Sequence, residues 1–361
     1  MSIFGKKPKV HLGIDFGAGG IKVLQLQKRD GRALLYTYGF SEIAPEEMGV
    51  NYIDNIEAAG TLLKHICEKA KTTTVHAVAA LPIPAVFSAV LSLAAVPKKE
   101  LAQAVEWEAK KLIPFPLKDV TLDFKELKFS PEKADRKDGK DQTKESKSIE
   151  ILLTAAPKGI IDKYLAIAKV AGITLSSIET EAFAIIRSVV GNDPTPTVLI
   201  DIGAVRSNIL FVDGGIPMLT RSVEIGGKKC TEIIASTLGI TLADAESLKR
   251  DLGVKPLPGT VAGTLPTLLQ ETLTPLINEL HYSFNVYKTR TTIARPPERI
   301  ILIGGGAGLP GLADMLSKEF ALRTFLGNPW ERVDVHPDLK GLVNSFGSRF
   351  AVAIGLALRN M

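Results

Sequence analysis

A chain of 361 residues suggests roughly two domains, and 45% hydrophobic residues give each a core to bury. The formal charge of +5 is mild, and without an arginine-rich helix carrying interleaved aromatics it gives no support for a nucleic-acid partner. Cys67 and Cys230 have no CxxC or metal spacing and read as reduced, semi-buried residues of a cytosolic protein, and the five scattered histidines read as structural.

The chain opens on a short basic stretch, Gly5-Lys6-Lys7-Pro8-Lys9, read as a solvated tail, with an acidic membrane surface as the alternative. It has no signal-peptide pattern, and no later run reaches the roughly 18–20 apolar residues of a membrane span. Residues 12–26 read as a strand ending in Asp15, a tight turn over Gly17, Ala18, Gly19 and Gly20, and a return strand. A third strand is predicted at 33–40, then a loop with Pro45, an amphipathic helix at 55–71, and a buried strand at 75–81 that stops at Pro82 and Pro84.

From 86 to 165 the grain changes. A strand at 86–93 and a helix opened by Pro97 run to the Pro114-Phe115-Pro116 corner. Two strands follow, 120–127 and 149–155, joined by the charged segment 130–148, expected as a mobile hairpin loop. A helix at 158–170 is expected to close this β-α-β-β-α insertion. Residues 175–187 read as a strand end entering a helix of small apolar residues.

Residues 199–212 then repeat the opening hairpin. An offset of 186 pairs Ile14 with Ile200, Asp15 with Asp201, Gly17 with Gly203, Ala18 with Ala204 and Leu24 with Leu210. A third strand at 218–223, reached through Gly215-Ile216-Pro217, is followed by helices at 228–237, 242–252 and 265–291. A strand at 299–303 leads into Gly304-Gly305-Gly306-Ala307-Gly308, a helix runs to Phe320, and a last apolar helix is predicted at 345–358.

Glycine hairpins present backbone N–H groups with no side chain in the way, which suits close approach of a phosphate. Asp15 and Asp201 can face phosphates only across a divalent cation, and Mg²⁺ is held through waters and one or two carboxylates. Two such hairpins would grip a polyphosphate from both sides. Gly306, Gly308 and Gly311 satisfy a dinucleotide fingerprint, but about 50 residues follow, too few for that fold.

The paired hairpins resemble the phosphate-1 and phosphate-2 motifs of the actin, sugar kinase and Hsp70 superfamily. Over residues 10–358 the motif order is most similar to the PilM family of type IV pilus assembly proteins, with the FtsA family next. The resemblance implies an α/β class: an actin-like, duplicated ribonuclease H-like two-domain fold with an inserted 1C subdomain. Its divisions fall at 1–85, 166–196 and 336–361 for 1A, 86–165 for 1C, 197–225 and 297–335 for 2A, and 226–296 for 2B.

It also implies ATP or ADP with Mg²⁺. Asp15 and Asp201 serve the metal, and Glu181 orients an attacking water, with Glu179 its neighbouring candidate. Lys22, seven residues after Asp15, addresses the β- and γ-phosphates. Gly226, Gly227, Lys228, Glu246, Lys249 and the glycines at 304, 305, 306 and 308 take the nucleoside. The position of Ala18 usually carries a serine or threonine, and Ala204 repeats the lack, so fast hydrolysis is not expected. The chain ends after the last helix, where FtsA continues to a membrane helix. That implies a cytoplasmic scaffold peripheral to the inner membrane, recruited by a partner, the N-terminal cytoplasmic peptide of PilN. Other pilus platform or motor proteins and self-association are compatible. The face around 86–93 and the helix with Trp107 and Leu112 is either the peptide groove or the insertion's own core. A small-molecule kinase and an FtsA-like filament former are the alternative functions.

Overall fold

The computed structural model describes residues 10–44, 52–94, 96–127, 148–252, 265–290, 295–359 and 361. The basic start, the Pro45 loop and the segment 130–147 lie outside them.

Alternating apolar residues build β1 (Val10–Gly17), β2 (Gly20–Arg29) and β3 (Arg32–Phe40) as a meander. The turn between β1 and β2 occupies 18–19, and Gly20 at φ +128° holds a backbone conformation open to glycine. α1 (Ile56–Ala70) begins at Asn55, whose side chain accepts from the Ala58 N–H, and stops where Lys71 turns left-handed. β4 (His76–Leu81) runs parallel to β1. The insertion supplies β5 (Phe87–Ala94), α2 (Lys98–Leu112), β6 (Val120–Leu127) and β7 (Ser148–Pro157). α3 (Lys158–Val170) and β8 (Thr174–Thr180) follow, then α4 (Glu181–Ile185), which continues as a π-helical turn over Ile186–Val190.

The second half holds β9 (Thr197–Ile202), β10 (Ser207–Asp213), β11 (Ile216–Val223), α5 (Gly227–Leu238), α6 (Leu242–Leu252) and α7 (Leu265–Arg290). It continues with β12 (Arg299–Ile303), α8 (Leu312–Phe320) and β13 (Arg323–Leu326). α9 (Lys340–Phe346) and α10 (Ala351–Ala357) end the chain.

The halves are two copies of one plan. The first sheet has the order β3-β2-β1-β4-β8 and the second β11-β10-β9-β12-β13, each with two antiparallel pairs followed by two parallel ones. Even the irregularities repeat. The register shifts between Gln25 and Leu26 in one copy and between Phe211 and Val212 in the other, at the offset that relates Asp15 to Asp201. β5, β7 and β6 form a separate three-stranded sheet on which α2 packs through Val105 and Ala109.

α10 lies between the two sheets, apolar and buried all round. It touches β1 where Gly13 has no side chain: a Cβ there would fall 2.2 Å from the Ala353 carbonyl oxygen. It crosses α4 where Gly355 likewise leaves room for the backbone of Ala184.

Four expectations change. The helix predicted at 345–358 is broken at Gly347 (φ +53°), whose carbonyl accepts from the Trp330 indole at 2.8 Å; α9, a 3-10 turn and α10 replace it. α3 packs against α1 and the first sheet through Tyr164, Ile167 and Ala168, so it does not close the insertion. The turn before β11 is at Gly214-Gly215, and Pro217 sits within this edge strand, where a missing N–H is tolerated. β13, only four residues long, was not anticipated.

Candidate functional site

The two hairpin turns meet. A Cβ placed on Gly19 would lie 3.1 Å from the Cβ of Ala204, so the tips of the two copies touch through their smallest residues. Asp15 and Asp201 stand near the ends of β1 and β9. Opposite Asp15 in the register is Lys22, and its ammonium sits 2.9 Å from the buried carboxylate. Opposite Asp201 is Asn208, whose amide donates to the carboxylate at 3.4 Å and is itself held by Ser222. Asn208 is the duplicate of Lys22 and was overlooked; the 186-residue offset already pointed to it.

Glu181 opens α4 and accepts from the Ile83 N–H at 3.0 Å. Burial, then the charges of Asp15 and Asp201, push its carboxyl up to about 8, against the pull of the Ile83 N–H and Arg206. Burial and the charge of Asp15 raise Asp201 to about 6, opposed by Asn208 and Lys22. Three carboxylates therefore sense one another across the junction of the halves. Glu179 is occupied elsewhere, bonded by both arms of Arg187 at 2.7 and 2.9 Å and close to Arg359, so it pins the C-terminal helix and leaves the site to Glu181.

Two tyrosines close the first-half wall. Tyr52 donates to the Gly17 carbonyl at 3.2 Å, and fully buried Tyr164 packs edge-on against Phe16; burial raises both phenols. On the second-half side, Gly226 and Gly227 begin α5. The Gly227 and Lys228 N–H groups donate to the carbonyls of Gly203 and Ala204 at 3.0 and 2.8 Å, which ties the helix to the second turn. Lys249 of α6 donates to the Gly227 carbonyl at 3.1 Å and to Glu246 at 2.6 Å, so these two residues join the same cluster. Lys228 leans 4.0 Å from Glu232.

The loop after β12 wraps the end of β9. Gly304 (φ +89°) would place a Cβ 2.4 Å from Asp201 Oδ1, and the Gly306 N–H donates to the Ile202 carbonyl at 2.8 Å. Gly305 abuts Arg349, whereas a Cβ on Gly308 would meet only open space. Among the described residues no group of three or more His, Cys, Asp or Glu side chains is placed to hold an ion directly. Asp15 and Asp201 bring one carboxylate from each half to the junction, a donor set that suits Mg²⁺, which keeps several waters and takes one or two carboxylates.

Gly226 is required by contact: a Cβ there would fall 2.6 Å from the carbonyl of Ala204. Gly226→Ala is expected to lift α5 from the turn and destabilise the protein by about 1–3 kcal/mol, read in thermal unfolding. An unchanged midpoint would show that the junction is slack.

Residues 13–361 match the family described as type IV pilus assembly protein PilM. In structure the chain is similar to the PilM-PilN type IV pilus biogenesis complex, at 27% identity and a TM-score of 0.78, over 97% of this chain and 98% of that chain. The cell division protein FtsA of Streptococcus pneumoniae serotype 2 is 23% identical over 347 residues, 88% of this chain and 75% of that protein. MreB 5 of Spiroplasma citri, bound to AMPPNP, is similar in fold, with a TM-score of 0.51 and 15% identity over 97% of this chain and 95% of that one.

Proposed function

Because the chain belongs to the type IV pilus assembly protein PilM family and has its actin-like fold, we propose that it is a nucleotide-binding scaffold of the pilus machinery that takes ATP with Mg²⁺ and docks PilN. The observation that carries the nucleotide half is the meeting of two duplicated glycine hairpins over Asp15, Asp201 and Glu181. The backbone amides of the two turns, around 17–20 and at Ala204, with Gly203 leaving the approach open, would address the phosphates, and Lys22 would serve them from its place beside Asp15. Mg²⁺ supplies the charge that lets carboxylates and phosphates share the site. Asp15 and Asp201 would hold the ion, and Glu181 would accept from and orient a water for attack. Gly226, Gly227, Lys228, Glu246, Lys249, Gly304, Gly305, Gly306 and Gly308 line the nucleoside end. With alanine at 18 and 204 the turns offer no hydroxyl donor, and turnover is slow.

The partner half rests on the similarity to the PilM-PilN complex and on exposed apolar residues of the insertion. Trp107 of α2 is 63% exposed, and Leu112 at the end of that helix and Phe115 just after it are also exposed, while the insertion's core is built from Leu93, Val105, Ala109 and Ile113. An exposed aromatic of this kind suits an apolar contact with an extended peptide. Among the described residues no helix is long and apolar enough to cross a membrane, and membrane contact in this reading comes through PilN, on the cytoplasmic side.

Calorimetric titration of a synthetic PilN N-terminal peptide, with and without Mg·ATP, tests the reading. Micromolar binding is expected, with an affinity that shifts when nucleotide is present. Trp107→Ala is expected to weaken the peptide about 30-fold, the scale of a buried aromatic anchor, without moving the unfolding midpoint. No binding in either state, with nucleotide still bound, would reject the scaffold.

A further inference from the structure

Arg206 lies in the β9–β10 turn, between Ala204 at the tip and Ser207, the first residue of β10. Its carbonyl accepts from the Gly203 N–H at 2.9 Å, a bond that closes the turn and fixes where the side chain leaves it. The residue is half-buried, yet among the described residues its guanidinium has no hydrogen-bond or ion-pair partner. A guanidinium stays charged at any accessible pH and carries five donors in a planar fork. A partly exposed guanidinium with no protein partner keeps its donors available for an incoming anion.

The other cations nearby are engaged. Lys22 is on Asp15 at 2.9 Å, Lys249 on Glu246 at 2.6 Å, and Arg349 donates to Glu42 at 3.2 Å. Arg206 comes from the second half, but its field falls on Glu181 and Tyr164 of the first half, across the junction. The Tyr164 hydroxyl at that wall is buried and also lacks a partner among the described residues. The junction next to Glu181 thus combines an unpaired fork with a carboxylate that would repel an anion if no cation stood beside it.

We propose that Arg206 binds the terminal phosphate of a nucleoside triphosphate, reaching it from the second half and so making closure of the two halves sensitive to whether that phosphate is present. This rests on the nucleotide-binding reading. A diphosphate lacks the group assigned to the Arg206 fork, so the residue is expected to discriminate between the two nucleotides.

The test titrates Mg·ATP and Mg·ADP separately into the full chain, Arg206→Gln and Arg206→Lys. Arg206→Gln is expected to lose roughly 10- to 100-fold in affinity for Mg·ATP, as for a lost charge-assisted hydrogen bond, while Mg·ADP stays within about twofold. Arg206→Lys keeps the charge without the fork and recovers part of the loss. The nucleotide-free midpoint of Arg206→Gln should equal that of the parent, because among the described residues the guanidinium bonds nothing; a lowered midpoint would overturn the proposal. So would an equal loss for both nucleotides, or none. If the parent binds neither nucleotide, the nucleotide reading itself falls, and the proposal with it.

Discussion

Gly355→Ala is expected to destabilise the protein by about 3 kcal/mol or more, lowering the thermal midpoint by several degrees. In a free helix the same change would stabilise by up to about 1 kcal/mol through helix propensity. The packing reverses the sign. A Cβ at 355 would lie 1.8 Å from the carbonyl oxygen and 2.4 Å from the carbonyl carbon of Ala184, both backbone atoms that no rotamer change can move. α10 cannot retreat, because its other side rests on β1 at Gly13, and the Gly355 carbonyl is held by Arg187 at 2.6 Å. Denaturant unfolding of the variant checks this; equal or greater stability would mean that the α4–α10 crossing is not as tight as described.

Stability of the nucleotide-free protein is expected to fall as pH rises from about 4.5 to about 8, and Glu181→Gln is expected to remove the upper part of that fall. Glu181 has a folded-state pKa of about 8, raised from 4.5 by burial and then by Asp15 and Asp201. A raised pKa means that the folded state holds its proton more tightly than the unfolded chain. The resulting stabilisation is full below 4.5 and is lost through about 8, at most about 5 kcal/mol in all. Asp201, raised from 3.8 to about 6, adds to the decline at the acidic end of the range. Denaturant unfolding at pH 6, 7 and 8 separates the two: the glutamine variant should show only the small residual fall from Asp201 near pH 6, be flat from 7 to 8, and be more stable than the parent at pH 8. Parallel curves for the two proteins would show that Glu181 ionises freely.

Most of the architecture was legible because strand alternation and turn chemistry are local. The twin hairpins were visible as a repeat, and the first sheet follows the same order as the second because each half carries the same succession of apolar runs. What escaped notice depends on neighbours distant in sequence. The apolar run at 345–358 reads as one helix until Trp330 is seen to capture the Gly347 carbonyl. The burial of α3 against α1 joins residues roughly a hundred positions apart, and nothing in its own pattern names the partner. Glu179 and Glu181 are indistinguishable by spacing; Arg187 and Arg359 decide between them. Tyr52, Tyr164 and Arg206 carry no motif and enter the site only through folding, whereas Asn208 was present in the repeat and could have been found by carrying the offset from Asp15 on to Lys22.

In the nucleotide-binding reading, the close approach of Gly19 and Ala204 ties ligand entry to relative motion of the two hairpins. Association is then expected to saturate at an opening rate once ligand is abundant, which binding kinetics at rising ligand concentration would reveal. Alanine at 204 fits this arrangement, since a bulkier side chain there would press on Gly19 and hold the hairpins apart.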